Sequence, residues 1–194
     1  MKKSGHIRII GGQWRSRRLG CARVAGLRPS PDAVRETLFN WLPHRLHGQF
    51  CLDLFAGSGA LGFEAASRGA PNVVLVESHP QALQWLRANR GALQAENQVD
   101  IFPGRAERFL RQHGRGQPSR DARKGFDIIF LDPPFAGGMI APVCETLRGC
   151  DLLNPGALVY IESPHAGPAL PVPPDWHIIR EKRCGAVRST LLQT

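Results

Sequence analysis

From residue 49 onward, short and nearly continuous apolar runs alternate with amphipathic stretches. The apolar runs are FCLDLF (50–55), NVVLVE (72–77), VDIF (99–102), FDIIFL (126–131) and ALVYIE (157–162). The stretches between them predict helices near 60–68, 79–94, 105–112 and 138–149. Apolar strands that alternate with helices are typical of a parallel sheet covered by helices on both faces. Two further β-rich runs, 176–183 and 186–192, flank Gly185 and predict a closing antiparallel hairpin.

The segment before this repeat has a different pattern. Residues 6–24 are rich in isoleucine around the pair Gly11 and Gly12, and this pattern predicts a β-hairpin. We therefore expect an N-terminal β-hairpin arm (1–27) followed by one α/β domain (28–194), a division compatible with a chain of 194 residues.

Two shorter segments carry local signals. Ser30 and Pro31 predict the start of a helix, with Ser30 as its N-cap and Pro31 at the first helical position. Residues 112–125 are polar and rich in glycine and proline, and this composition predicts a long surface loop.

The charge of the chain favours a polyanionic partner. Lysine and arginine number 25 against 16 acidic residues, a formal net charge of +9, and no acidic residue precedes Asp32. Basic residues that only solvate the surface are the alternative explanation, but segregated charge favours nucleic acid, whose counterions are released on binding. The predicted RNA-binding residues are Lys2, Lys3, Arg8, Arg15, Arg17, Arg18 and Arg28.

Cysteine spacing and hydropathy exclude other classes of protein. The five cysteines form no Cys-x-x-Cys pair, so no metal site is predicted. No run approaches the roughly 20 apolar residues of a membrane span. We expect a soluble, cytoplasmic monomer that does not bind membranes.

A glycine-rich loop with an acidic neighbour follows the first strand of the repeat. Gly57 and Gly59 allow the backbone to turn tightly and to approach a ligand, at the strand end where open α/β sheets bind ligands. Together with Gly62 and Glu77 they also match the dinucleotide-binding pattern of a nicotinamide enzyme. Asp53 argues against that alternative, because a carboxylate suits the cationic sulfonium and ammonium groups of S-adenosylmethionine better than a pyrophosphate. Glu77 can hydrogen-bond a ribose under either hypothesis.

The motif Leu131-Asp132-Pro133-Pro134-Phe135 follows a very apolar strand. Two prolines end the strand, so the motif should lie at the same sheet edge as the glycine loop. The Asp132 carboxylate and the Pro133 carbonyl can accept the protons of an exocyclic base amine, and Phe135 offers a ring for an unstacked base to lie on. Taken alone, the motif favours a strand-ending turn over a buried ring; its pairing with the glycine loop at 53–59 favours the catalytic role.

These motifs are those of amino-methyltransferases of the class I, Rossmann-like fold, which has a seven-stranded, mostly parallel sheet. Almost the whole chain resembles the bacterial 16S ribosomal RNA guanine-N2 methyltransferases of the RsmD type. The resemblance is carried by RIIGGQWRSRRL (8–19), RPSPDAVRETLFNWL (28–42), DLFAGSGALGFEAASR (53–68), LDPPF (131–135) and EKRCGAV (181–187).

The resemblance implies methylation of one guanine N2 in 16S rRNA, within a small ribosomal subunit or an assembly intermediate, with S-adenosylmethionine as cofactor. The target base is then expected at Asp132, Pro133, Pro134 and Phe135. The expected cofactor-binding residues are Asp53, Phe55, Ala56, Gly57, Ser58, Gly59, Glu77, Ser78, Arg105 and Ala106. A DNA or other RNA amino-methyltransferase, or a non-catalytic RNA-binding assembly factor, is the alternative.

Overall fold

The computed structural model describes residues 5–22, 30–114, 125–134 and 138–194. Their helices are α1 Asp32–Trp41, α2 Ala60–Ser67, α3 Pro80–Leu93, α4 Ala106–His113 and α5 Ile140–Arg148. The strands are β1 Gly5–Arg8, β2 Arg18–Cys21, β3 Phe50–Asp53, β4 Asn72–Glu77, β5 Val99–Pro103, β6 Phe126–Leu131, β7 Leu153–Pro164, β8 His177–Cys184 and β9 Val187–Gln193.

The main sheet has seven strands in the order β5-β4-β3-β6-β7-β9-β8. The first five pair in parallel, whereas β9 pairs antiparallel with both β7 and β8. The predicted α/β fold, including the closing hairpin around Gly185, is therefore confirmed. After β5 the chain returns to the other side of β3, so the direction in which strands are added reverses between β3 and β6. Ligands of such sheets bind at this kind of position.

Each face of the sheet has its own hydrophobic core. Cys51 and Ile128 point into one core, which also contains the buried faces of α1, α2 and α3. Their neighbours Leu52 and Ile129 point into the other core, against α4 and α5. This alternation explains why the central strands are apolar at successive positions, since both of their faces are buried.

The N-terminal hairpin, β1 paired with β2, is packed firmly onto helices α2 and α3. The backbone N–H groups of Ile10 and Gly11 each donate to the Glu64 carboxylate at 2.8 Å. Asn89 exchanges two hydrogen bonds with the backbone of Gly20, at 3.1 and 2.8 Å. The predicted hairpin is thus present, and it shares the core of the domain; the boundary at residue 27 stays a prediction.

The predicted cap of α1 is wrong. Pro31 is the N-cap residue, the helix begins at Asp32, and no side chain caps it. The Ser30 hydroxyl instead lies 3.4 Å from Oδ2 of Asp132, a residue 102 positions away. The local sequence does not show that the Ser30 hydroxyl has a distant acceptor, Asp132, and therefore it predicted a cap that does not form.

Some expectations fall outside the described residues. They concern Lys2, Lys3, Arg28 and Phe135, and all but the ends of the predicted 112–125 loop. No helix in the described part of the chain is long and apolar enough to cross a membrane.

Candidate active site and family

A cavity of about 920 Å³ opens at the carboxyl edge of the parallel strands. Five carboxylates line it, and one of them, Glu107, belongs to α4. The other four come one from each of four adjacent strands or the turn that follows: Glu77, Asp53, Asp132 and Glu162, in the order β4-β3-β6-β7. The cavity therefore has a β3/β4 half, which contains the glycine loop, and a β6/β7 half, which contains the Asp-Pro-Pro motif.

The glycine loop between β3 and α2 depends on backbone conformations that favour glycine. Gly57 and Gly59 have φ angles of 52° and 78°, in the left-handed region. Gly57 lines the cavity, but Gly59 is not among the lining residues. A Cβ atom on Gly59 would lie 2.6 Å from the Phe63 ring and 2.7 Å from Leu86, so this glycine allows the loop to pack closely on the core.

Glu77 holds the glycine loop through backbone amides. One carboxylate oxygen accepts from the N–H of Gly57 at 2.7 Å, and the other accepts from Ser78 and His79 at 2.7 and 2.6 Å. A carboxylate accepts about four hydrogen bonds, so Glu77 keeps an acceptor site for a ligand.

Asp53 is a buried carboxylate at the end of β3, and only 2% of its surface is exposed. Its Oδ2 accepts from the N–H of Gly62 at 3.2 Å. Burial raises the pKa of Asp53 to about 7; Glu77 and Glu162 add to the rise, and the backbone amides of Gly62 and Phe55 oppose it. A cationic ligand in the cavity would favour the ionised form of Asp53.

Asp132 and Pro133 follow β6 directly and line the β6/β7 half of the cavity. Burial raises the pKa of Asp132 well above its ordinary value, and the charges of Glu162 and Asp53 act in the same direction. The Ser30 hydroxyl opposes this rise, at its distance of 3.4 Å. Such a carboxylate is a stronger base than an exposed one and has few hydrogen-bond donors around it.

Glu162 is a lining residue that the sequence analysis did not single out. It lies near the carboxyl end of β7, is 2% exposed, and accepts a hydrogen bond from the Tyr160 hydroxyl at 3.0 Å. Burial raises its pKa, whereas the Ser30 and Tyr160 hydroxyls and the Arg35 charge lower it. The sequence did contain a signal for Glu162, because it is an acidic residue at the end of an apolar run. Asp53, Glu77 and Asp132 were identified from the same signal.

The structure brings most of the predicted site residues together. The cavity lining includes Asp53, Phe55, Ala56, Gly57, Ser58, Glu77, Ser78, Arg105, Ala106, Asp132, Pro133 and Pro134. Within the described ranges, no group of His, Cys, Asp and Glu side chains could hold a metal ion.

Four of the predicted RNA-binding arginines are described, and all four are exposed: Arg8, Arg15, Arg17 and Arg18. Arg8 forms an ion pair with Asp32 at 3.2 Å, and Arg17 donates to the Ala92 carbonyl at 2.9 Å. Ala22, which directly follows β2, lines the cavity. The arm therefore extends from an exposed basic surface to the edge of the cavity.

Known proteins resemble this chain over nearly its full length. "Ribosomal RNA small subunit methyltransferase D" of Escherichia coli strain K12 is 43% identical over 98% of this chain and 91% of that protein. The protein of the same name from Haemophilus influenzae is 39% identical, over 97% of this chain and 94% of that protein. A solved structure, the putative methyltransferase yhhF from Escherichia coli, superposes with a TM-score of 0.84 at 42% identity, covering 97% of this chain and 98% of that one.

Residues 7–193 also match the family described as "Conserved hypothetical protein 95". Because the match includes both halves of the cavity and the N-terminal hairpin, it covers every described element that positions the site. The chain belongs to this family, together with the ribosomal RNA small subunit methyltransferases D that it resembles.

Proposed function

We propose that this chain transfers a methyl group from S-adenosylmethionine to the exocyclic N2 of a specific guanine in 16S rRNA. The observation that carries the proposal is the shared cavity: Asp53 and the glycine loop line one half, and Asp132 lines the other. The names of the relatives favour ribosomal RNA over DNA as the substrate. The proposal includes 16S rRNA within a small ribosomal subunit or an assembly intermediate as substrate, a monomeric enzyme and the cytoplasm as its location.

The residues of the β3/β4 half fit S-adenosylmethionine. Asp53 supplies a buried carboxylate for a cationic group, and Glu77 supplies a remaining acceptor for a ribose hydroxyl. Gly57 leaves space for the ligand beside the loop, and Arg105 and Ala106 line the cavity where an adenine would be held. When bound, this cofactor supplies an electrophilic methyl group.

In the β6/β7 half, Asp132 prepares the amine. The lone pair of an exocyclic amine is delocalised into the ring of the base, so the amine is a weak nucleophile. A hydrogen bond from the amine to Asp132 draws its proton away and increases the electron density on nitrogen. The raised pKa of Asp132 strengthens this effect and makes the carboxylate a suitable acceptor for the proton that the nitrogen loses.

Pro133 has the complementary role of a second acceptor. Proline has no backbone N–H, so the chain presents only a carbonyl to the amine at this position. Pro133 is buried and lines the cavity beside Asp132. Positioning the amine between two acceptors orients its lone pair, and orientation of this kind accounts for a large part of enzymatic rate enhancement. Phe135 remains the proposed stacking surface for the base.

The exposed arginines of the hairpin provide the proposed RNA-binding surface. Arg15 and Arg18 lie on the hairpin whose last strand leads to Ala22 at the cavity edge. Phosphate contacts made there would hold the RNA beside the cavity without reading its sequence.

The direct test is mass mapping of 16S rRNA from cells that lack this protein. We expect one N2-methylguanine to be absent, and to return when the gene for the wild-type chain is restored. The purified chain should then methylate the same position in vitro, on unmodified small subunits or free 16S rRNA. Identical modification patterns with and without the protein, and no incorporation in vitro, would contradict the proposal.

A further inference from the structure

We propose that Glu162 selects guanine by accepting the N1–H hydrogen bond of the target base. This inference rests on the proposed function, and it concerns a residue for which no role follows from the Asp-Pro-Pro motif or the glycine loop. Glu162 would thus be a specificity-determining residue for the reaction that Asp132 supports.

The sheet places Glu162 next to Asp132. Strands β6 and β7 are parallel neighbours, and Leu131 pairs with Ile161, so Asp132 and Glu162 are the next residues on each side. Both line the same half of the cavity. The Ser30 hydroxyl, which donates to Asp132 at 3.4 Å, lowers the pKa of both carboxylates. The carboxylates of Asp132 and Glu162 are therefore two adjacent hydrogen-bond acceptors that line the same part of the cavity.

This pair of acceptors matches one edge of guanine. N1 and N2 of guanine are neighbouring nitrogens, and both carry protons. In adenine and cytosine the ring nitrogen beside the exocyclic amine is unprotonated and is itself an acceptor. A carboxylate opposite that nitrogen would bring two acceptors together without a proton between them, which strongly disfavours binding. An acceptor beside Asp132 therefore admits guanine and rejects the other two amino bases.

The surroundings of Glu162 hold it as an acceptor. Tyr160 donates to Oε1 at 3.0 Å, and the Ser30 hydroxyl, which donates to Asp132, also lowers the pKa of Glu162. Burial raises the pKa of Glu162, and the Arg35 guanidinium, which is 1% exposed, opposes this rise and favours the charged form. Since a carboxylate accepts about four hydrogen bonds, Glu162 keeps capacity for a base.

A purely structural role for Glu162 makes a different prediction. If the carboxylate only accepted the Tyr160 hydrogen bond inside the protein, its replacement would lower activity on all bases by the same factor. The preference between bases would then not change. The ratio of two rates measured on one preparation separates these cases, because the fraction of folded enzyme cancels.

The experiment uses RNA in which the mapped guanine is replaced by 2,6-diaminopurine. This base keeps the 2-amino group, but its N1 carries a lone pair instead of a proton. For the wild-type chain, we expect kcat/KM for guanine to exceed that for diaminopurine by about tenfold to a hundredfold, the discrimination typical of one good base contact. Equal kcat/KM values for the two RNAs would overturn the inference while leaving guanine methylation itself intact.

The variant Glu162→Gln should largely remove the preference. Because Tyr160 donates to Oε1, a glutamine would keep its oxygen there and present its NH₂ group to the base. The guanine-to-diaminopurine ratio should then fall at least about tenfold. The matched control Glu145→Gln, on the exposed face of α5, should keep the wild-type ratio.

An unchanged ratio in Glu162→Gln would also overturn the inference. If that variant does not fold, the wild-type comparison of the two bases can still overturn the inference. Failure of the wild-type chain to methylate any guanine would instead contradict the proposed function, so the two failures are distinguishable.

Discussion

The two halves of the cavity satisfy their carboxylates in different ways. In the β3/β4 half, Glu77 accepts three backbone N–H groups, and Asp53 accepts from Gly62. In the β6/β7 half, the described donors to Asp132 and Glu162 are the hydroxyls of Ser30 and Tyr160. The carboxylates of one half are satisfied by nearby backbone groups, and those of the other by side-chain hydroxyls, one of which, Ser30, comes from a distant part of the chain.

This difference indicates different tasks. A loop held by backbone amides is preorganised for a ligand of constant shape, as a cofactor is. Carboxylates with few donors have a raised pKa and remaining acceptor capacity, as a site requires that receives protons from a substrate amine. Changes in the two halves should therefore have separable effects.

The largest expected effect comes from Asp132→Asn, which removes the acceptor charge in the β6/β7 half. We expect methyl transfer to fall by about 10²- to 10⁴-fold, because the amine loses its base. Calorimetric affinity for S-adenosylmethionine should change far less than the rate, because Asp53 and Glu77 keep their positions in the other half. Retained activity, or a parallel loss of cofactor affinity, would contradict the separation.

The variant Gly59→Ala tests how closely the glycine loop packs on the core. The left-handed φ of 78° costs about 1–2 kcal/mol for alanine, and contact with Phe63 and Leu86 adds about 1–3 kcal/mol. Urea unfolding should report the sum. Gly185→Ala is the control, because φ is 58° there and no atom lies within 4 Å of the added carbon. Equal losses in both variants would argue against tight packing at Gly59.

Asp53 should make cofactor binding depend on pH. Its pKa is raised to about 7, so the carboxylate is mostly neutral at pH 6 and mostly charged at pH 8. If only the charged form attracts a cation, affinity for S-adenosylmethionine should rise about tenfold across this interval. The variant Asp53→Asn should lack this pH dependence, so the effect of Asp53 is the difference between the pH–affinity curves of wild type and variant. If cofactor affinity changed with pH in the same way in both proteins, the prediction for Asp53 would be refuted.

The smallest expected effect comes from the hairpin surface outside both halves. Arg15→Ala and Arg18→Ala should each reduce RNA affinity modestly and lower the slope of log affinity against log salt by about 0.7–0.9. Arg148→Ala is the control: this arginine is half-exposed on α5 and pairs with Glu145 and Asp175. Salt slopes identical to wild type in all variants would mean that the hairpin arginines only solvate the surface.

Sequence reasoning predicted the β3/β4 half better than the β6/β7 half, for a physical reason. Asp53, Gly57 and Glu77 belong to one local unit, and periodicity together with glycine position specifies such units. The same periodicity predicted the order of strands and helices. The lengths were less accurate: β7 begins at Leu153, several residues before the apolar run that predicted it.

The β6/β7 half depends on contacts between residues far apart in the sequence. Ser30 approaches Asp132 across 102 positions, so its local role as a helix cap was a reasonable prediction and a wrong one. Glu162 was included in a predicted strand, but its importance depends on the register of β7 beside β6. A single sequence does not reveal that register.

The Glu64 carboxylate fixes the position of the hairpin relative to the cavity, and this has a consequence for which guanine can react. It is completely buried, and it joins the turn of the hairpin at Ile10 and Gly11 to the helix that begins at the glycine loop. Under the proposed function, the distance between the exposed arginines of the hairpin and the reacting amine in the cavity is then constant. A guanine would be selected by its distance along the RNA from the phosphates that the arginines bind, as well as by the hydrogen-bonding groups of its base.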